Sequence, residues 1–495
     1  MTKYFEAYEK FDFSFLVSKL SLQISKMDLT PKTGESLRQQ VTEKQIQLVR
    51  LETEDINSVS RGILLDVDYF MENIKEGFSF PLGAIGCIDF DGQPVHNYPL
   101  DESTNYSNGA LYPDVSTFQN LPWKSGTASV LCHLSTTPGN LNASSYHTRS
   151  ICKQQFEKLN RLGFDLKSAF EYEFYVVDKE TLKPVDTKDN YAATLFNEKG
   201  SKISSRIMES LKKIGVCPEK FHMECAPSMF EITVKPSFGI KGADDAIRYR
   251  STVKEICRDE RVEALFMTTP FKYEYRSNGQ LNHSLWNLTE KTNVFYDAAN
   301  PTQLSEKGQN WLAGLKAHSK ALTCLALPTY NCYQCFLNQE EGFDTGPMLS
   351  MNNAWGYDNR TVAHRVKILN ESSSYIEYRV PGSAVNPYLI TAGLLIAGMD
   401  GLKRNLQLTD PPYVGGIYRN EPDCSPYFDI PKTLDEALRC LQEDELFVKE
   451  LGEEFIEVFV TLKKNEIQRI EEMKKISASD DEILWKLYRN YYQIL

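Results

Sequence analysis

Acidic side chains inside apolar, strand-like segments restrict the fold of this 495-residue chain more than any other sequence feature. In SAFEYEFYVVD, the two-residue period of a strand puts Glu171 and Glu173 on one face. Glu377 lies inside YIEYRVP, and ECAPSMFE runs from Glu224 to Glu231. The chain must therefore either bury several carboxylates together or keep one face of a sheet hydrated.

Adjacent buried carboxylates repel one another and lose hydration, so their burial needs a neutralising cation. Carboxylate oxygens are the ligands that Mg²⁺ and Mn²⁺ prefer. The three segments therefore predict a divalent-cation site. A sheet with one hydrated face is the alternative, and a single Glu-x-Glu pair does not distinguish between the two.

Charge and hydropathy exclude several classes of partner. The 67 acidic residues exceed the 55 basic ones, giving a formal net charge of −12, which argues against nucleic acid as a partner. The N-terminus lacks an apolar signal segment, and the most apolar run, Tyr388–Met399, is too short to cross a bilayer of about 30 Å. The 11 scattered cysteines indicate free thiols. We therefore expect a cytoplasmic protein with no nucleic-acid or membrane partner.

Periodicity and turn residues divide the chain into three regions. Residues 1–42 are predicted to be an N-terminal extension, and residues 43–138 a small, turn-rich β domain. Residues 139–495 alternate helices and strands, which makes the whole chain α+β. The helices predicted in this region are 146–162, 244–259, 305–325 and 386–404, and the strands are 170–177, 231–234 and 375–380.

Several motifs resemble the glutamine synthetase family, in order, over roughly residues 45–400. Leu111–Trp123 resembles the segment that closes the family's N-terminal β-grasp domain, and Glu171-Tyr172-Glu173 resembles its paired metal-binding glutamates. The other matching motifs are Glu224…Glu231, Asn359-Arg360 with Arg365, Glu377-Tyr378-Arg379 and Asn386-Pro387-Tyr388-Leu389.

The resemblance implies a β-grasp domain followed by a catalytic domain, in which an antiparallel sheet forms a half-barrel surrounded by helices. It also implies an ATP-dependent ligase, in which a carboxylate is phosphorylated and an amine then displaces the phosphate to form an amide. Cations and arginines neutralise the phosphoryl oxygens in such a reaction. The family further implies a ring-like homo-oligomer of the dodecamer type.

The resemblance also assigns roles to individual side chains. One Mg²⁺ or Mn²⁺ ion is expected at Glu173, Glu224 and Glu231, and the other at Glu171 and Glu377. The expected catalytic residues are Arg360, Arg365 and Arg379, and the expected ATP-binding residues are Ser284, Arg360 and Arg365.

Two positions depart from the family pattern. Gln280 stands four residues before Ser284, where the family has a metal-ligating histidine. His283 would face the opposite way in a strand, and a shifted alignment is the alternative. Cys335 stands where the family has an arginine that helps phosphoryl transfer. Cys332 and Cys335 form a C-x-x-C without a second pair, which favours ordinary thiols over a zinc or redox site.

Losing one preorganised charge contact typically lowers a rate by about 10²–10³, so the departures predict weakened or lost ligase activity. Together with HSLW and Trp311–Leu322, they resemble the lengsin branch of the family, which is regarded as non-catalytic and is associated with the lens cytoskeleton. We expect a structural or binding role, with a cytoskeletal protein as a candidate partner. Unlike vertebrate lengsins, the chain keeps Glu171 and Glu173, which leaves metal and nucleotide binding open. The alternative is a working ligase that makes glutamine or a γ-glutamyl amide.

Overall fold

Two β-sheets organise the chain, and both begin where alternating apolar residues predict strands. The structure is a computed structural model that describes residues 31–95, 107–136, 144–186, 191–193, 198–343, 350–418, 422–477 and 481–494. Residues 1–30 of the predicted extension lie outside these ranges, and its remainder forms most of helix α1, Pro31–Glu43. No helix in the described ranges is long and apolar enough to cross a bilayer.

The first sheet is mixed, with strand order β2-β1-β6-β4-β3 and β5 paired to β6. Its centre is the parallel pair β1 and β6, where Val49, Leu51 and Val130 are fully buried. Short helices follow β2 and β3. The elements are β1 Leu48–Glu54, β2 Ser60–Asp66, α2 Val67–Asn73, β3 Phe78–Pro81, α3 Gly83–Gly86, β4 Asn108–Pro113, β5 Gln119–Asn120 and β6 Thr127–Ser135.

The second sheet has the order β13-β14-β15-β12-β7-β9-β8, with β10 and β11 also paired to β7. Its pairs are antiparallel except for β13 with β14. The strands are β7 Phe164–Asp178, β8 Pro218–Met223, β9 Met229–Val234, β10 Ser237–Phe238, β11 Val262–Leu265, β12 Gly279–Asn287, β13 Trp355–Tyr357, β14 His364–Lys367 and β15 Tyr375–Tyr378. This half-barrel sheet confirms the predicted α+β class.

Helices surround the second sheet. They are α4 Thr148–Arg161, α5 Glu198–Lys213, α6 Lys241–Asp259, α7 Glu306–Ala317, α8 Ser319–Ala326, α9 Gln334–Glu340, α10 Pro387–Arg404, α11 Leu434–Glu443, α12 Glu445–Leu451, α13 Glu453–Ile476 and α14 Asp481–Tyr492. The prediction of one helix over 305–325 is wrong, because α7 and α8 meet at His318. The His318 imidazole is held between Asp400 and Asp444, which fixes the junction.

A buried arginine joins the two parts of the chain. Arg149 of α4 is 3% exposed and donates hydrogen bonds to Asp244 of α6 and, across to the first sheet, to Asp114, each at 2.9 Å. A fourth bond joins it to His133 at 3.1 Å, and Tyr388 donates to Asp244 at 2.7 Å. Buried charges need such partners, so the network fixes the first sheet against α4 and α6.

Candidate functional site

The acidic side chains meet on one face of the half-barrel sheet because antiparallel pairing places them opposite one another. Glu173 of β7 lies opposite Glu231 of β9, and Glu231 lies opposite His222 of β8. On the other side of β7, Glu171 lies opposite Gln280 of β12. Directly opposed residues share a face of a sheet, so these five side chains form two adjacent positions.

The position at Glu173 contains three carboxylates and an imidazole. The Nε2 atom of His222 is 3.0 Å from Glu231, and its Nδ1 atom is 3.5 Å from Glu224. Ligand atoms of these three residues all lie within 4.8 Å of one another. Both oxygens of Glu173 accept hydrogen bonds from Asn278. We call Glu173, Glu224, Glu231 and His222 the first position.

His222 is a site residue that the sequence analysis missed. His222 stands two residues before Glu224, and alternate residues of a strand share a face. This spacing could have indicated that the two side chains lie together. The turn that follows is strained at Ser228, whose φ of +57° favours glycine. The Ser228 hydroxyl accepts a 2.6 Å hydrogen bond from the Asp186 backbone and so supports this conformation.

Burial and mutual repulsion raise the pKa values of the clustered acids. The pKa of Glu171 rises to about 7, first through burial and then through Glu231 and Glu377. The pKa of Glu224 also rises to about 7, through burial and then Glu231. Burial followed by Glu224 and Glu231 holds the pKa of Glu173 well above its usual range. The cluster is therefore short of positive charge.

We call Glu171, Gln280 and Glu377 the second position. It differs from the first position because guanidinium groups already donate hydrogen bonds to Gln280 and Glu377. Arg379 donates to Gln280 Oε1 at 3.0 Å and also to Glu377 Oε1. Arg365 donates to the other Glu377 oxygen at 3.0 Å. Glu171 itself accepts only a 2.7 Å bond from Asn282 among the hydrogen bonds of the described residues.

The structure confirms that His283 faces away from the acids. It is 1% exposed, and its Nε2 atom accepts a 3.1 Å hydrogen bond from Trp311. Burial lowers the pKa of His283 to about 4, as expected for a neutral core imidazole. Ser284 lies in the same strand and accepts a 2.9 Å bond from Trp286. Arg360 is exposed and lies close enough to Glu224 to oppose, weakly, the rise in that residue's pKa.

A buried arginine, Arg276, lies near Cys335, the cysteine that stands where the family has an arginine. Cys332 and Cys335 are buried and form no disulfide in the described ranges. The guanidinium of Arg276, 5% exposed, interacts electrostatically with Cys335 and with Glu173. Its bonds go to Asn278, to the sulfur of Met351 and to the backbone oxygens of residues 380 and 381, with no carboxylate within 4.0 Å in the described ranges.

Comparison with known protein families assigns the larger part of the chain. A family profile described as "Glutamine synthetase, catalytic domain" matches residues 145–480. The chain belongs to the glutamine synthetase family.

Three comparisons describe its relatives. Human lengsin is 32% identical over 437 residues, covering 88% of this chain and 83% of lengsin. A glutamate–isopropylamine ligase of a Pseudomonas species is 29% identical over 456 residues, covering 88% and 94% of the two chains. A solved structure described as a novel glutamine synthase homolog superposes with a TM-score of 0.74 at 22% identity, covering 90% of this chain and 99% of that one. Glutamine synthetase family members depend on ATP and divalent metals and generally form homo-oligomers.

The raised pKa values predict how stability without added metal varies with pH. Glu171, Glu173, Glu224 and His222 all have raised pKa values, His222 through its hydrogen bond to Glu231, so the folded state binds more protons than the unfolded state. The contribution of this cluster to the free energy of unfolding should therefore fall as the pH rises from about 5 to 8, by about 1 kcal/mol or more. Buried histidines such as His147 and His283, whose pKa values burial lowers, contribute in the opposite direction, so the cluster is isolated by comparing Glu173→Gln with the unmodified protein. In thermal melts in chelator, the difference in melting temperature should grow in favour of the variant as the pH rises, and a difference that does not change with pH would contradict this.

Proposed function

We propose that this chain is a lengsin-like glutamine synthetase homologue that binds a divalent cation and nucleotide but has weak or no ligase turnover. The observation that carries the proposal is the contrast between its two positions. The first position keeps its acids and adds an imidazole, whereas Arg379 bonds to two acceptors of the second position, Gln280 and Glu377.

The donor set of the first position suits one Mg²⁺ or Mn²⁺ ion. Ligands on opposite sides of an ion with bonds of 2.0–2.1 Å are about 4.2 Å apart, close to the 4.8 Å limit that contains the ligand atoms of His222, Glu224 and Glu231. The imidazole favours Mn²⁺ over Mg²⁺. Glu173, Glu224 and Glu231 would hold the ion, which would supply charge neutralisation to phosphoryl oxygens.

The second position fits a cation less well. Both Glu377 oxygens accept from guanidinium groups, and the expected histidine is replaced by Gln280, whose oxygen Arg379 binds. An ion there would have to displace Arg379 from two acceptors at once. Two-metal phosphoryl transfer needs both ions, which is why we infer weak turnover.

An ATP-dependent phosphate-release assay with glutamate and ammonia, or with a panel of amines, tests the proposal. We expect rates equal to those of Glu173→Gln, together with a rise in melting temperature when Mn²⁺ or ATP is added to the unmodified protein. Robust turnover that disappears in Glu173→Gln would contradict the proposal that ligase activity is weak or lost. Failure of both Mn²⁺ and ATP to raise the melting temperature would overturn the binding role.

A second candidate is an active ATP-dependent ligase that makes glutamine or a γ-glutamyl amide. Arg276 favours it, because this buried guanidinium puts a positive charge beside Cys335, where the family pattern has an arginine. The glutamate–isopropylamine ligase relative also makes an amine panel necessary. Turnover with one amine, lost in Arg276→Gln and in Glu173→Gln, would support this candidate.

We further propose a ring-like homo-oligomer, of the dodecamer type found in the family, and the boundaries 1–42, 43–138 and 139–495 for the extension and the two domains. Light scattering that shows a 56.6 kDa monomer would contradict the oligomer. We do not extend the proposal to a cytoskeletal partner, because no described surface favours one.

A further inference from the structure

A cavity of about 440 Å³ lies between the first sheet and helix α6, lined by residues other than those of the glutamate cluster. Its walls include Glu54 of β1, Arg61 of β2, and Arg250 and Lys254 of α6, and Ile494 also lines it. Glu54 and Arg250 are 5% and 4% exposed, so both are almost fully buried. Charged groups with so little hydration need partners.

Several buried polar atoms that line this cavity have no hydrogen-bond partner among the described residues. The Oε2 atom of Glu54, the Nε atom of Arg250 and the Nη2 atom of Arg61 make no hydrogen bond with the described residues. Arg250 otherwise bonds to Ser58 and to the Val385 backbone. An unpaired buried polar atom loses its hydration without gaining a hydrogen bond, so three of them on one cavity point to a missing ligand.

The charges of the cavity specify the kind of ligand. Arg250 and Lys254 lie one helical turn apart, and neither has a carboxylate within 4.0 Å among the described residues, whereas Arg258 pairs with Glu263. Burial raises the pKa of Glu54 to about 8, so at neutral pH this carboxyl group is a hydrogen-bond donor and adds little negative charge. Burial, with Arg250 and Arg258, lowers the pKa of Lys254. A negative charge in the cavity would relieve this repulsion.

We propose that this cavity binds a small anion bearing carboxylate or phosphate groups, held by Arg250, Lys254 and the Glu54 carboxyl group. Arg250 would supply Nε–H, Lys254 an ammonium hydrogen and Glu54 its O–H, so each of these three donors meets an acceptor oxygen. The Lys254 ammonium group now donates to the backbone oxygen of Ile494, which follows α14 and lines the cavity, at 2.5 Å.

Thermal melts in sodium phosphate and in sodium succinate, each against sodium chloride at equal ionic strength, test the site. We expect phosphate, succinate or both to raise the melting temperature of the unmodified full-length protein. Lys254→Gln should weaken the apparent affinity roughly tenfold or more, the value of one charged hydrogen bond. Lys254→Arg should retain the response. Lys241→Gln is the matched control, because Lys241 lies on the same helix but pairs with Asp245 at 2.5 Å.

Phosphate could also bind near the glutamate cluster, so Arg360→Gln is measured alongside. A response that survives in Arg360→Gln and is lost in Lys254→Gln supports the cavity. Equal responses in Lys254→Gln and Lys241→Gln, loss of the response in Arg360→Gln, or no response beyond that in chloride would each overturn it. The Mn²⁺ response of the same samples reports separately on the proposed function.

Discussion

Glu173→Gln is expected to weaken Mn²⁺ binding by about a hundredfold or more. Removing an outer-shell partner of a metal ligand already costs about 10–100-fold, and Glu173 is placed to be a ligand itself, opposite Glu231 on the same face of the sheet. Isothermal titration with Mn²⁺ at pH 8 measures the affinity directly. The amide keeps the shape of the side chain, and its oxygen in the place of Oε2 can accept from both N–H groups of Asn278, so that only the third bond, to Oε1, is lost.

The same variant should be more stable than the unmodified protein when metal is removed, by about 1 kcal/mol or more at pH 8. Glu173 is buried beside Glu224 and Glu231, and its removal relieves their repulsion. Urea unfolding in chelator measures the gain. Glu209→Gln is the control, because Glu209 is an exposed acid on α5 that pairs with Lys213. Unchanged Mn²⁺ affinity in Glu173→Gln would show that Mn²⁺ does not bind at the first position.

Gln280→His is expected to raise ATP-dependent ligase turnover by about 10² or more over the unmodified chain. A histidine side chain at this position would lie opposite Glu171 in the sheet, and the hydrogen bond from Arg379 to the Gln280 oxygen would be lost. A second cation would then gain a nitrogen ligand, and one preorganised charge contact is typically worth about 10²–10³ in rate. Phosphate release with glutamate and ammonia measures it.

Gln280→Leu serves as the control for this gain. It also removes the bond from Arg379 but offers no ligand atom, so its turnover should stay at the level of the unmodified chain. Manganese stoichiometry gives a second readout, since Gln280→His should bind one ion more per chain than Gln280→Leu. Equal turnover in the two variants would show that the missing imidazole does not limit activity.

Much of the acidic face could be predicted from the sequence because it depends on local rules. The two-residue period places Glu171 and Glu173 together, and the same period turns His283 toward the core, as the structure confirms. The roles of these acids as metal ligands stay a prediction. His222 was within reach of the same rule and was overlooked.

Other features could not be predicted from the sequence, because they depend on strand register or on contacts between distant segments. The bond from Arg379 to Gln280 joins residues 99 positions apart and depends on how β12 pairs with β15. The cavity beside Glu54 and Arg250 forms only when β1 packs near α6. The break at His318 likewise follows from Asp400 and Asp444, which lie far along the chain. Periodicity within one segment contains none of this information.

The Arg149 network has a consequence for how a ligase and a non-enzyme can share one architecture. Its bonds to Asp114 and His133 cross the proposed boundary at residues 138 and 139, whereas Asp244 lies on the same side as Arg149. A chain divided there would leave Asp114 without its guanidinium partner, so the network ties the folding of the first sheet to that of the second part. Gln280 and Cys335 take no part in that network. Chemistry can therefore be lost or regained at the sheet while the scaffold around it stays intact.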